Sequence, residues 1–245
     1  MKGITNYGGV EPKVESKGKG DPWRAVFAAS LDEVVGAEAR RRVLPDEENE
    51  TFPCDPVGNV RWTSAVIGRM DELVRRDDRI EVLTRCSHVL PESIIKELRE
   101  VYERHHDLEE LREFWQKRFI RELKDVHRPM PEEWLSRVMG EHWGQVGSRE
   151  GSIVIATKIP ENMRGYFEAR DERERGYHYC HCDRIRAVHR MGDFGISPTY
   201  CYCGGGFYKS NWERLLRRRV RVEVLKCLLK GDDVCQFAIQ LPEGA

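Results

Sequence analysis

Cysteines are the residues of this 245-residue chain whose type and spacing point most clearly to chemistry. The chain has eight of them, and six fall in the last 66 residues: Cys180, Cys182, Cys201, Cys203, Cys227 and Cys235. Thiolate is a soft ligand that prefers zinc or iron, and a structural zinc site takes four ligands. The sequence therefore predicts a metal site made by these six cysteines, with zinc as the expected ion and an iron–sulfur cluster as the alternative.

The spacing leaves open which of the cysteines bind the metal. Cys180 with Cys182 and Cys201 with Cys203 form two Cys-x-Cys pairs. Such a pair can chelate one metal only in a tight turn, because alternation along a strand would separate the two sulfurs. The ligands are therefore either both members of a pair or one cysteine from each pair.

Other residues near the pairs bear on the same site. His178 and His181 flank the first pair, and either could replace a sulfur as a ligand. The residues after the second pair, 204–206, are all glycine and predict a turn in which the backbone closely approaches a metal or a ligand. Cys54 and Cys86 each stand alone and are expected to be buried packing residues.

The elements that must position the cysteines differ along the chain. Residues 1–22 contain glycine and lysine with few apolar side chains, which is typical of a flexible arm. Residues 23–148 repeat apolar side chains at helical spacing and predict amphipathic helices, with an acidic, proline-containing loop over residues 45–59. Residues 149–245 predict a strand over 152–160, helices and a final hairpin. The expected fold class is α+β, with a helical N-terminal half packed on a C-terminal α+β domain that contains an antiparallel β-hairpin.

The hairpin joins two strand-like runs, VRVEVLKCLL and VCQFAIQLP, through residues 230–233. Gly231 in this linker tolerates a positive φ, and a hairpin centred there brings Cys227 and Cys235 together. Alternation in the second run gives one apolar face, formed by Cys235, Phe237, Ile239 and Leu241. This face must pack against a core or a partner.

The C-terminal stretch CYCGGGFYKSNWERLLRRRVRVEVLKCLLKGDDVCQFAI resembles the end of a domain of 4-vinyl-reductase type. That small-molecule-binding fold occurs in bacteriochlorophyll-biosynthesis proteins and in aromatic-sensing transcriptional activators. The resemblance covers about residues 150–242, and its most specific element is the Cys-x₇-Cys pattern of Cys227 and Cys235 around Gly231. Cys201 precedes Cys227 by 26 residues, which is similar to the family spacing.

The resemblance implies a metal, a ligand and an assembly. In sensor members these cysteines hold zinc together with an upstream acidic residue, and here Cys180 and Cys182 stand where that residue is expected. The family places its ligand in a pocket beside the cysteine-bearing strands, and it implies a homodimer. The YCHC and TYCYCG motifs also resemble uncharacterised cysteine-rich bacterial and archaeal proteins and, more loosely, a thiazoline-carboxylate hydrolase family.

Composition excludes several classes of protein. The 41 Lys and Arg are balanced by 42 Asp and Glu, so a domain-wide basic surface for nucleic acid is absent. No run approaches the roughly 18 apolar residues of a membrane span, so no membrane is expected as a partner. The N-terminus has no apolar signal segment, which predicts a cytoplasmic location with reduced thiols.

Two function hypotheses follow from these patterns. The first is a zinc-stabilised protein that binds or senses an apolar or aromatic small molecule, in a pocket between the helical half and the C-terminal unit. Aromatic residues concentrated in 114–143 and 194–212 would line that pocket. The second is a metal- or cysteine-dependent enzyme, a hydrolase or a redox protein, that uses the same cysteines. No Ser-His-Asp arrangement is visible, so the sequence assigns no catalytic residue.

Overall fold

The computed structural model describes residues 22–45, 55–192 and 195–245. Of the expected N-terminal arm, residues 1–21 lie outside these ranges, as do Cys54 and Phe194, while Pro22 begins the first helix. In the first half, the described residues form the helices α1 (Pro22–Val43), α2 (Pro56–Leu73), α3 (Arg76–Thr84), α4 (Glu92–His105), α5 (Leu108–Val126) and α6 (Glu132–Gly140). None of the helices in the described ranges is long and apolar enough to cross a membrane.

Helix α2 begins inside the segment that the sequence predicts to be a loop. The Asp55 carboxylate accepts a hydrogen bond from the Gly58 backbone N–H at 2.8 Å, and Pro56 occupies the first turn. A side-chain cap followed by proline is a strong helix start, because proline has no N–H to leave unpaired there. The loop prediction was therefore wrong for residues 56–59.

The second half is mixed, and the α+β fold class is confirmed. Its strands are β1 (Ser148–Glu150), β2 (Ile153–Thr157), β3 (Arg221–Lys226) and β4 (Gln236–Gln240), and its helices are α7 (Met163–Glu168), α8 (Glu172–Tyr179), α9 (Asp183–Met191) and α10 (Tyr202–Leu216). A short 3₁₀ helix (Pro198–Cys201) precedes α10. The strands form one antiparallel sheet in the order β1-β2-β4-β3, so the last strand lies in its interior.

The predicted hairpin is present, with a longer connection than the four-residue turn expected. Strands β3 and β4 pair antiparallel, with Val224 opposite Phe237, and a 3₁₀ helix (Leu228–Lys230) lies in the connection. Cys227 and Cys235 lie at the two ends of this connection, just outside the paired strands. The apolar face of the last strand is buried against the core as predicted.

The three glycines after the second Cys-x-Cys pair lie inside α10, so the prediction of a turn there was wrong. A Cβ on Gly206 would lie 2.0 Å from the carbonyl oxygen of Thr84, which is at the end of α3. The glycine therefore lets two helix backbones touch, and this packing outweighs its weak helix propensity. The backbone at Gly206 thus closely approaches a neighbouring helix, whereas the sequence predicts a close approach to a metal or a ligand.

Helix α10 also joins the two halves of the chain. The Asn211 side chain accepts a hydrogen bond from the Leu90 backbone N–H at 3.0 Å, and Trp212 packs on Trp115 of α5 with ring centroids 5.5 Å apart. One continuous cluster of buried apolar residues contains members of both halves. The predicted boundary at residue 149 therefore does not separate two hydrophobic cores.

Candidate functional site

A cavity of about 860 Å³ lies where the two halves meet, and we call it the central cavity. The helical half contributes Trp23 of α1 and residues 86–92 between α3 and α4. The second half contributes the segment after β2, the turn between α8 and α9, and the start of α10. Five of the lining side chains are Trp, Tyr or Phe: Trp23, Tyr200, Phe207, Tyr208 and Phe237. Residues 194–212 thus contribute rings as predicted, but no residue of 114–143 lines the cavity, so that part of the prediction was wrong.

Thiols line much of this cavity. The cysteines on its wall are Cys86, Cys180, Cys182, Cys201, Cys203 and Cys235. Cys227 is not among the lining residues and is fully buried. All the described cysteines are free thiols. The structure therefore brings the six predicted cysteines to one place, together with Cys86, for which the sequence predicts only packing.

The thiols fall into two groups, which Cys180 links because it also interacts electrostatically with Cys182. In the first, which we call the four-thiol group, the Cys201 thiol donates a hydrogen bond to Cys227, and Cys201 also interacts electrostatically with Cys180 and Cys235. These four residues come from the end of α8, the start of α10 and both ends of the hairpin connection.

The second group contains the remaining members of the two pairs. Cys182 lies 3.2 Å from the Tyr200 hydroxyl, and the Trp23 indole N–H donates to Cys203 at 3.3 Å. Cys86 interacts electrostatically with Cys203. Each Cys-x-Cys pair thus gives one cysteine to each group, which is one of the two arrangements that the spacing left open.

The described cysteine thiols are suitable donors for a metal ion, but they are not arranged as a coordination sphere. Among the residues that the structure describes, no three Cys, His, Asp or Glu side chains are placed so that they could hold a metal ion. Four neighbouring thiols are nevertheless the donor set that zinc prefers. Metal binding therefore requires the four-thiol group to contract, and the zinc site stays a prediction.

The pKa values of two thiols in the four-thiol group are shifted in opposite directions. The hydrogen bond from Cys201, helped by the backbone N–H groups of Leu229 and Lys230, lowers the pKa of Cys227 to about 7 against the opposing effect of burial. The same hydrogen bond, together with burial, raises the pKa of Cys201 well above its ordinary value. Cys227 is therefore the more acidic thiol of this pair.

The two candidate histidines are engaged elsewhere. His181 Nε2 donates to the Ile159 carbonyl oxygen at 2.9 Å, and its Nδ1 lies 2.8 Å from a Glu161 carboxylate oxygen. His178 Nδ1 lies 3.3 Å from the Asn162 amide nitrogen, and its ring packs on Gly165 outside the cavity lining. In this arrangement neither histidine replaces a cysteine in the four-thiol group.

Two further residues of the cavity wall were missed by sequence reasoning. Lys158 directly follows β2, and its backbone N–H donates to the Cys235 carbonyl oxygen at 2.8 Å. The His88 ring packs on Phe207 with centroids 5.0 Å apart, and burial, with the charges of Lys158 and His181, lowers its pKa to about 4. Neither residue belongs to a motif, so only the folded chain reveals them.

Comparison with known proteins gives one similarity. Residues 155–244 match a family described as a family of unknown function (DUF6144). The match begins in β2, ends after β4, and contains all six cysteines of the predicted site. Neither the search of curated proteins nor that of solved structures found a match. The C-terminal part of this chain, with its cysteines, is thus similar to the DUF6144 family.

Proposed function

We propose that this protein binds a small organic molecule in the central cavity, and that Cys180, Cys201, Cys227 and Cys235 hold a zinc ion beside it. The observation that carries the proposal is the cavity of about 860 Å³ at the junction of the two halves, with cysteine thiols on its wall. This is the junction at which the sequence hypothesis of a small-molecule-binding or sensing protein expects a pocket.

Size and lining support the binding of an organic molecule. Protein interiors are close-packed and contain few voids larger than one water molecule. Ligand pockets typically occupy roughly 300–1,000 Å³ and are lined by apolar and aromatic side chains with a few polar groups. The central cavity has that size, and rings from both halves, such as Trp23 and Phe207, face it. A flat apolar molecule would bury surface against both.

The four-thiol group supports the zinc. Its members lie far apart in sequence, on the end of α8, the start of α10 and the hairpin connection. A zinc ion bound there would link these segments and fix one wall of the cavity. In this role the metal stabilises the pocket and does not need to contact the organic molecule.

A cysteine-dependent enzyme or an iron–sulfur protein is the second candidate. Cys182 and Cys203 lie on the cavity wall outside the four-thiol group, where a thiol could act as a nucleophile or join a cluster. Burial raises the pKa of Cys203 to about 11, against the hydrogen bond from Trp23, so its thiol is protonated near neutral pH. A protonated thiol is a poor nucleophile, so Cys203 is not activated for catalysis in this arrangement.

The test is purification of the native chain without refolding and without oxygen. Elemental analysis is expected to find one zinc per chain in a colourless protein, and denaturation is expected to release a bound organic molecule that mass spectrometry identifies. A brown protein containing iron and sulfide would favour the second candidate. A metal-free protein whose melting temperature does not respond to a chelator would contradict the zinc site.

A further inference from the structure

The charges on the wall of the central cavity are almost all neutralised within the protein. Arg214 contacts Glu92 at 2.6 Å and the Leu90 carbonyl oxygen at 2.7 Å. Asp183 contacts Arg186 at 3.3 Å. These contacts tie the charged groups to their own walls, so they are poor anchors for a ligand.

Arg184 is engaged in the same way. Its Nε donates to the Asn59 side-chain oxygen at 3.0 Å, and its guanidinium lies over the Trp23 ring, 4.9 Å from the ring centroid. Its side chain is directed toward the helical half by these contacts. Arg184 therefore shapes the cavity wall and is not the natural partner of a bound anion.

Lys158 differs from these residues. It is half-buried on the cavity wall, and in the part of the chain that the structure describes its ammonium group forms no ion pair and no side-chain hydrogen bond. Glu161 is close enough to be affected by the charge of Lys158, but its carboxylate contacts His181 instead. A cation in a largely apolar cavity is costly to bury unless it gains a counter-ion.

Lys158 shares the cavity wall with groups from several segments of the chain. His88, Cys180, Cys203 and Cys235 line the same cavity as Lys158. These groups lie on different segments around the cavity. The backbone hydrogen bond from Lys158 to Cys235 fixes the residue where its chain can reach into that space.

We propose that the ligand of the central cavity is an aromatic carboxylic acid, whose single negative charge pairs with Lys158 while its ring lies between the aromatic walls. This inference rests on the proposed function, because it names the chemical class of the molecule that the cavity binds. One ammonium group matches one carboxylate, whereas a phosphate is usually bound by several donors, such as arginines or a helix N-terminus.

The test compares an acid with its neutral amide. Binding of 2-naphthoate and of 2-naphthamide is measured by calorimetry on the native zinc-containing chain, on Lys158→Met and on the control Lys117→Met, whose side chain is exposed on α5. We expect Lys158→Met to weaken naphthoate binding by roughly tenfold or more, as for the loss of one charge-assisted hydrogen bond, and to leave naphthamide binding and zinc content unchanged. The control should bind both probes like the native chain.

The failures of the two proposals are distinguishable. If native protein binds both probes equally and Lys158→Met changes neither affinity, the ligand class is wrong and the binding function stands. If Lys158→Met loses zinc and weakens both probes together, Lys158 is the counter-ion of the metal–thiolate group, and the inference is overturned. If the native chain binds neither probe, the aromatic-acid ligand is contradicted, and the binding function is decided separately by the molecule released on denaturation.

Discussion

At the residue scale, the two cysteines of each Cys-x-Cys pair have different partners. Cys180 directly follows α8 and Cys182 directly precedes α9, so the chain turns between them. Cys201 ends the 3₁₀ helix and Cys203 lies in the first turn of α10. Because the chain turns between the members of each pair, one thiol joins the four-thiol group and the other faces an aromatic side chain.

Substituting Cys235 should cost more than substituting Cys86. Both thiols are buried on the cavity wall, which makes Cys86→Ser a matched control for Cys235→Ser. We expect Cys235→Ser to lower the free energy of unfolding by about 2 kcal/mol or more and to reduce zinc content, because it removes one of the four proposed zinc ligands. Cys86 donates to the Val82 carbonyl oxygen at 3.4 Å, and serine keeps that bond, so its cost should be about 1 kcal/mol.

The measurements are urea denaturation and elemental analysis of each variant. Full zinc content in Cys235→Ser, with a loss of stability no greater than that of Cys86→Ser, would contradict the assignment of Cys235 to the metal.

At the scale of elements, α10 carries cysteines of both thiol groups and must be held close to its neighbours. Gly206 lets it touch the end of α3, while Gly204 lies on the cavity wall. Replacing Gly206 by alanine would place a Cβ against the Thr84 backbone, which cannot move without shifting α3. The position of Cys201 and Cys203 therefore depends on this helix contact.

Gly206→Ala and Gly205→Ala form a matched pair in the same helix. Both gain about 1 kcal/mol of intrinsic helix propensity. At Gly205 the nearest atoms to a new Cβ are side-chain atoms at 3.3 Å or more, which can shift slightly, so we expect Gly205→Ala to be near neutral. At Gly206 the clash should outweigh the propensity and destabilise the fold by about 2 kcal/mol. Equal denaturation midpoints for the two variants would contradict this packing.

A carboxylate links strand β3 to two helices and should make stability depend on pH. Glu223 accepts hydrogen bonds from Arg76 of α3 at 2.5 Å and from the Tyr202 hydroxyl of α10 at 2.7 Å. Burial raises the pKa of Glu223, but these hydrogen bonds and the Arg76 charge outweigh it, so the pKa is lowered in the folded chain. The stabilisation is therefore present above the unfolded value of about 4.3 and is lost as the pH falls through the lower folded value.

Glu223→Gln should thus reduce the free energy of unfolding by about 0.5–1 kcal/mol at pH 7, which is the scale of an exposed ion pair. The difference between Glu223→Gln and the native chain should shrink below about pH 4, as the native carboxylate becomes protonated. Denaturation at a series of pH values measures it, with Glu150→Gln at the exposed end of β1 as the control. If the difference in the free energy of unfolding stays constant down to pH 3, the Glu223 carboxylate does not make stability depend on pH.

At the scale of the whole molecule, the two halves share one core and one cavity. Trp115 packs on Trp212 across the junction, and Arg214 and Asn211 bond to the segment before α4. Removing either half would expose the apolar face of the other. The homodimer and the 4-vinyl-reductase-type domain both remain predictions from the family resemblance.

The shared core predicts that the halves unfold together. We expect a single cooperative transition in thermal or urea denaturation, seen at the same midpoint by tryptophan fluorescence and by circular dichroism. Two resolved transitions, one from the helical half and one from the cysteine-rich half, would show that contacts across the junction contribute little to the stability of the fold.

Much of this fold could be predicted from periodicity, and part of the site could be predicted from residue type. The helical first half, the strand at β2 and the hairpin follow from local patterns, because their apolar faces repeat at the helix or strand period. The cluster of six cysteines follows from their unusual density. The placement of residues 204–206 inside α10 does not, because a contact with Thr84 overrides local propensity. Lys158 and His88 are common residues in no motif, and only tertiary packing brings them to the cavity.

The most direct test of the central claim is native mass spectrometry of the intact chain beside Gly204→Leu. Gly204 lines the central cavity, and a Cβ there lies 3.3 Å from the Phe237 ring, so leucine would fill part of the cavity. Gly68→Leu is the control, because a Cβ at Gly68 in α2 meets no atom within 4 Å. We predict that the native chain and Gly68→Leu carry one zinc and one organic molecule, and that Gly204→Leu keeps the zinc and loses the molecule. A native chain with no bound molecule, or a Gly204→Leu variant that retains it, would contradict the account.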